Sequence, residues 1–212
     1  RSYYADLIVV DYPGTYLTAD ALPVIEKYLE RLDVLVIGPG LGYRDETVDI
    51  IQSFIQSPKV RTLPVVLDAD AIHAVPVDHP NLTITPHAHE FANVSRQTVP
   101  VLPQERIELI KAKALEWHCT ILFKSPEDII ANADGDVMLN ETGNAGMTVG
   151  GTGDVLAGMV GGLLAQHLDP FAASKFAAYL SGATGDRLFK RKGYGFTATD
   201  VALDLAETVH AL

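Results

Sequence analysis

Short apolar runs, set between stretches with one apolar face, give this chain its rhythm. Val34–Ile37, Val65–Leu67, Leu82–Ile84 and Thr120–Phe123 are brief and rich in β-branched residues, the mark of buried strands. Leu7–Val10 has the same character and is predicted as a strand ahead of the turn Tyr12-Pro13-Gly14. Between these runs the apolar positions recur at helical spacing. Leu22, Ile25, Leu29 and Leu32 align within Asp20–Leu32, and Val48, Ile51 and Ile55 within Asp45–Ser57, with Pro58 just beyond. Ile107, Ile110, Ala114 and Trp117 align within Gln104–Trp117. Strands alternating with helices predict βα units and a largely parallel sheet.

After Phe123 the pattern changes. Ile129–Ala131 and Val137–Leu139 flank Asp134-Gly135, a hairpin turn signal, so an antiparallel edge is expected. Beyond Asp154 the chain reads as helix. One helix runs to about His167, a second opens with Asp169 as cap and Pro170 at the first helical position, and a third follows Thr199. The expected fold is α/β in three layers, with helices on both faces of a mostly parallel central sheet. No repeat or linker interrupts it, so residues 1–212 read as one domain. Arg1–Tyr4 resembles the end of a helix and leads at once into a strand, which predicts that an earlier βα unit is lost or supplied by another segment.

Composition then excludes some partners. At 212 residues and 48% hydrophobic content, the chain can bury one sizeable core. A net charge of -11 argues against duplex nucleic acid and against a polybasic membrane surface. Cys119 is the only cysteine, which rules out an intrachain disulfide framework and points to a reducing, cytoplasmic compartment. No apolar run reaches the roughly 20 residues of a spanning helix. Gly158 and Gly162 form a GxxxG pattern whose apolar stretch stops near Asp169, as close packing of a buried helix would require.

The chemistry gathers where parallel strands end, which is where open α/β sheets bind ligands. Gly38-Pro39-Gly40-Leu41-Gly42, Asp68-Ala69-Asp70, Thr85-Pro86-His87 and Lys124-Ser125 each follow a predicted strand. Gly150-Gly151-Thr152-Gly153-Asp154 runs into the apolar Val155–Gly158. A glycine-rich turn feeding a helix offers free amides and a positive dipole end, hence an anion site. Asp154 either caps that helix or serves as a base beside a bound phosphate; position alone leaves both open. Asp70 caps a helix starting at Ala71 or touches substrate, and Lys124 is a solvated cation or a phosphate ligand. His87, His89 and Glu90 lack a third histidine at helical spacing, so no metal ligand is assigned. Gly38–Gly42 is not the spaced dinucleotide fingerprint, which excludes Rossmann-type NAD binding.

Asn144-Ala145-Gly146-Met147-Thr148-Val149-Gly150-Gly151-Thr152-Gly153-Asp154 resembles the signature of the ADP/ATP-dependent NAD(P)H-hydrate dehydratases, members of the ribokinase-like superfamily. Gly38–Gly42, Asp68–Ala71, Thr85–His87 with Glu90 and Phe91, and Leu122–Lys124 match in the same order. The resemblance covers essentially the whole chain. It implies removal of water from the hydrated nicotinamide of damaged NADH or NADPH, with ADP or ATP as phosphate donor and Mg²⁺ on the nucleotide. It implies that Gly40, Gly42, His87 and Asp154 contact the hydrated cofactor. Lys124, Ser125, Pro126, Glu127, Asp128 and Gly153 would line the adenine nucleotide site, and the amides of Gly151, Thr152 and Gly153 would form an anion hole. Asp154 would deprotonate the ring hydroxyl, which attacks the terminal phosphoryl group, and phosphate then leaves. The family's Pro-Gly-Glu after its TPH is here Ala88-His89-Glu90, and its glycine and threonine after the strand-end lysine are Ser125 and Asp128. A homo-oligomer, and an epimerase as partner or fused domain, are the associations the family implies. A vitamin-precursor kinase of the same fold and a non-catalytic nucleotide-binding protein are the alternatives.

Overall fold

A computed structural model of the chain describes residues 7–12 and 14–212. Six strands form one sheet in the order β1-β2-β3-β4-β5-β6. β1 (Leu35–Ile37), β2 (Val65–Leu67), β3 (Leu82–Ile84) and β4 (Thr120–Phe123) are parallel neighbours. β5 (Asp128–Ala131) and β6 (Val137–Asn140) add the antiparallel edge expected from the hairpin signal. Asn132 closes that hairpin, its Oδ1 accepting the amides of Asp134 and Asp136 at 3.1 and 2.8 Å.

Alternation along the strands builds two cores. Val65, Leu67, Ile121, Phe123 and Ile129 face one layer, which contains α2 (Asp45–Ile55), α3 (Ala88–Ser95) and α4 (Pro103–Trp117). Val66, Leu122 and Ile130 face the other, made of α5 (Thr152–Ala165), α6 (Pro170–Lys192) and α7 (Ala198–His210). Both faces are apolar because both are covered, and the strands therefore read as continuous apolar runs. Among the described residues no helix is long and apolar enough to cross a membrane.

Three expectations need correction, and one helix was not expected at all. Leu7–Val10 is not a strand: it is exposed, and no described strand offers it a partner. An apolar composition alone does not supply the neighbour whose hydrogen bonds define a strand. Asp20–Leu32 is not one helix but a 3₁₀ turn (Ala19–Ala21), a short α1 (Leu22–Glu26) and a second 3₁₀ turn (Leu29–Arg31). After Glu26 the bonds tighten to an i→i−3 spacing, with Tyr28 N donating to Ile25 O at 3.0 Å, and the α-helical ladder ends there. Helix α3, unseen in the periodicity, is nucleated by its cap: His87 Nδ1 accepts from Glu90 N, and Glu90 returns a carboxylate to His87 N. In α5 the glycine at the close contact is Gly161, where a Cβ would lie 2.5 Å from Val36 Cγ2; Gly158 and Gly162 face open space. The helix-like reading of Arg1–Tyr4 lies outside the described residues.

Candidate active site

The four parallel strands deliver their carboxyl-end loops to one rim, and a cavity of about 800 Å³ opens beside it. Asp68 follows β2, His87 follows β3 and Lys124 follows β4. Lys124 Nζ lies 2.8 Å from Asp68 Oδ1 and 3.7 Å from Glu90 Oε2. Asp68 is buried, and its Oδ1 also accepts Thr85 Oγ1 at 2.7 Å. Lys124 is thus a fixed, largely shielded cation and not a freely solvated one. His87 belongs to the same network, with Nε2 3.4 Å from Glu90 Oε1. Those bonds explain His87 and Glu90 as a helix cap, and among the described residues no group of three His, Cys, Asp or Glu could cage a metal ion.

The glycine-rich turn closes the cavity from the opposite layer. Gly151 is the N-cap of α5 with φ of 93°, a left-handed conformation that glycine adopts at no steric cost. Thr152 anchors the turn by donating its hydroxyl to Met147 O at 2.7 Å. A Cβ on Gly153 would stand 3.3 Å from Lys124 Nζ, so the first turn of α5 rests against the lysine. The Gly151 and Gly153 amides, the positive end of the helix dipole and an ammonium group converge at this point, as an anion requires, whereas Thr152 N already donates to Val149 O at 3.4 Å. Asp154, in that same first turn, lines the cavity and is exposed; its carboxylate takes no hydrogen bond from the described residues. The helix cap is Gly151, so the capping reading of Asp154 fails and a carboxylate free to accept a proton remains.

Asp70 is likewise no cap. Asp68 precedes the 3₁₀ turn Ala69–Ala74, and Asp70 Oδ2 accepts Gly42 N at 2.9 Å, tying the Gly38–Gly42 loop to the end of β2. Gly40 and Gly42 both have positive φ and stand on this rim, outside the lining of the main cavity. Lys124, Ser125, Pro126 and Asp128 line it, whereas Glu127 does not; Glu127 instead accepts the Ser125 hydroxyl through its carbonyl.

Asp128 and Ser125 satisfy one another. Asp128 Oδ1 accepts Ser125 N and Oδ2 accepts Asn140 Nδ2, each at 3.0 Å. Burial raises the Asp128 carboxyl above its ordinary range, opposed by those two hydrogen bonds and the charge of Lys124. The native chain therefore holds this proton more tightly than the unfolded chain. The resulting stabilisation is complete below the usual carboxylate range and is lost as pH rises through the native value. Asp128→Asn should gain stability relative to the parent as pH rises from acid to neutral. Thermal melts across pH check this.

Thr142 and Gly143, just ahead of the Asn144–Asp154 signature, escaped the sequence reading. Thr142, Gly143 and Met147 line the cavity together with Ala178, Ser181 and Gly182 of α6. Asp186 holds the loop in place, accepting Gly143 N at 3.0 Å and Asn144 Nδ2 at 2.9 Å. The run of small residues on α6 was the available signal: a Cβ at Gly182 would stand 2.2 Å from Thr142 Oγ1.

The model of the NAD(P)H-hydrate dehydratase family matches residues 2–207. The chain belongs to this family. The bifunctional NAD(P)H-hydrate repair enzyme Nnr of Moorella thermoacetica is 39% identical over 188 residues, 85% of this chain and 35% of that protein. The ADP/ATP-dependent NAD(P)H-hydrate dehydratase of Bacillus subtilis, co-crystallised with ATP and Mg²⁺, is similar with a TM-score of 0.74 and 31% identity, over 84% of this chain and 64% of that one. A ribokinase-like superfamily protein of Enterococcus faecalis V583 gives a TM-score of 0.75 at 28% identity, over 89% and 67%. The fold is ribokinase-like, as the motifs implied. The chain spans only 35–40% of the length of the Nnr relatives it matches.

Proposed function

We propose that the protein restores NADH or NADPH from the hydrated cofactor, using ADP or ATP as phosphate donor. The observation that carries this reading is the unbonded carboxylate of Asp154 beside the Gly151 and Gly153 amides and Lys124. A nucleotide's terminal phosphate fits that corner, where amides and ammonium offset its charge. Lys124, Ser125, Pro126 and Asp128, with the 142–148 loop, would hold the nucleotide; Glu127 contributes its backbone only. His87 and the Gly40–Gly42 rim would orient the hydrated ring so that Asp154 takes its hydroxyl proton. The hydroxyl oxygen then attacks the terminal phosphorus and displaces AMP from ADP, or ADP from ATP; the ring nitrogen lone pair expels phosphate from the phosphorylated carbinol, and loss of a proton from the neighbouring ring carbon restores the dihydronicotinamide.

Mg²⁺ takes few protein ligands when phosphates are available. Mg²⁺ would arrive on the nucleotide and neutralise phosphate charge there. The name "bifunctional" on relatives far longer than this chain supports an epimerase unit as fused domain or partner. Phe176, Tyr194 and Leu203 leave apolar surface on α6 and α7, or just after α6, which supports a homo-oligomer. The single buried Cys119 suits a reducing cytoplasm.

The deciding assay supplies hydrated NADH or NADPH, Mg²⁺ and either ADP or ATP, and follows the return of reduced-nicotinamide absorbance. Recovery that requires one nucleotide is the expected result. A stable phosphorylated product would assign the chain to the kinases, and nucleotide binding with no turnover would overturn the enzymatic reading.

A further inference from the structure

A second cavity, of about 540 Å³, abuts the first; His87, Lys124, Ser125 and Pro126 line both. Its outer wall is the segment Val99-Pro100-Val101, and Arg106 and His89 complete it. Arg106 is not a loose surface cation. Its Nε donates to Pro100 O at 3.1 Å and its Nη2 to Val101 O at 2.9 Å. A guanidinium has five N–H donors, so three remain for a ligand. Because its plane is already fixed, little freedom is lost when it binds a phosphate. Lys124 is already paired with Asp68 and Glu90, so Arg106, which makes no ion pair among the described residues, is the cation this opening offers a ligand. Ser125 apart, the rest of the wall is apolar, and Val101 is almost fully exposed. Cation plus apolar shelf suits a phosphorylated nucleoside better than a free anion.

We propose that this second cavity receives the adenosine half of the dinucleotide substrate, with Arg106 binding a 2′-phosphate and so favouring the NADPH form. The inference rests on the dehydratase reading and specifies its substrate. A dinucleotide whose nicotinamide lies at Asp154 must send its other half out of the catalytic corner. His87, assigned above to the hydrated ring, lines both cavities and marks the path from one to the other. Val99, Pro100 and Val101 then offer the adenine an apolar surface.

The test titrates NADPH and NADH, the products of the proposed reaction, into protein already saturated with ADP. The parent should bind NADPH more tightly than NADH. Arg106→Gln should lose about tenfold in NADPH affinity, as expected for a charge-assisted pair, and change little toward NADH. Val101→Glu, at an exposed position where folding is not at stake, should weaken both by setting a carboxylate against phosphate. Equal NADPH binding by the parent and both variants overturns the proposal. A parent that prefers NADPH through Arg106 yet never converts either hydrate leaves the subsite standing and removes the dehydratase reading. Turnover of both hydrates with no response to either substitution does the reverse.

Discussion

Asp154→Asn is expected to lower turnover by about 10²- to 10⁴-fold, the usual contribution of a positioned general base. ADP affinity should hold or rise, because the substitution removes a negative charge beside the phosphate site. The split follows from geometry. Asp154 sits in the first turn of α5, where it neither caps the helix nor bonds a described neighbour. Its removal therefore costs no internal hydrogen bond, and the Gly151 turn, anchored by Thr152 to Met147 O, keeps its shape. An asparagine is nearly isosteric but cannot accept the hydroxyl proton. Single-turnover measurement with hydrated NADPH, alongside calorimetric ADP binding and a thermal melt, separates the roles. Parent-like turnover would remove Asp154 from the chemistry, and a lowered Tm would give it the structural part that the hydrogen bonds deny it.

Much of this site was legible because its chemistry sits at strand ends. Val65–Leu67 and Thr120–Phe123 could be located to the residue from apolar runs, and the loops after them then had to meet on one rim. The glycine-rich turn was equally plain, since three glycines beside an apolar helix have few other uses. What periodicity could not reveal were interactions between distant segments. Capping, one of the two readings open for Asp70, is a local pattern, whereas the partner it finds is Gly42 across the rim. Leu7–Val10 carries a strand's composition but has no described neighbour to complete it. The α6 wall was hidden because Ala178, Ser181 and Gly182 show their purpose only once the 142–148 loop is laid against them. Asp128 stands where the family has a threonine, and its pairing with Ser125 and Asn140 shows how the loop holds the acid.

Gly38→Ala is the substitution expected to cost the fold most. Gly38 has φ of 137°, and a Cβ there would stand 1.7 Å from Asp68 O and 2.7 Å from Asp68 C. The obstacle is main chain, so no rotamer change relieves it. Nor can the two strand ends drift apart freely, because Asp68 N donates to Ile37 O at 3.0 Å. Strain of this kind and overpacking together amount to about 2–6 kcal/mol, or roughly 5–20 °C in Tm for a domain of this size. The displacement also falls on a residue the site depends on. Asp68 fixes Lys124 at 2.8 Å, so moving its backbone shifts the ammonium away from the amides of α5. Gly38→Ala should therefore weaken ADP binding even at temperatures where the variant remains folded. Gly162→Ala provides the contrast: it lies inside α5 with nothing within 4 Å, and it should raise Tm slightly by favouring the helix. A Gly38→Ala protein that melts and binds ADP like the parent would mean that β1 and β2 part easily at their ends, and that Lys124 owes its position to something other than this close approach.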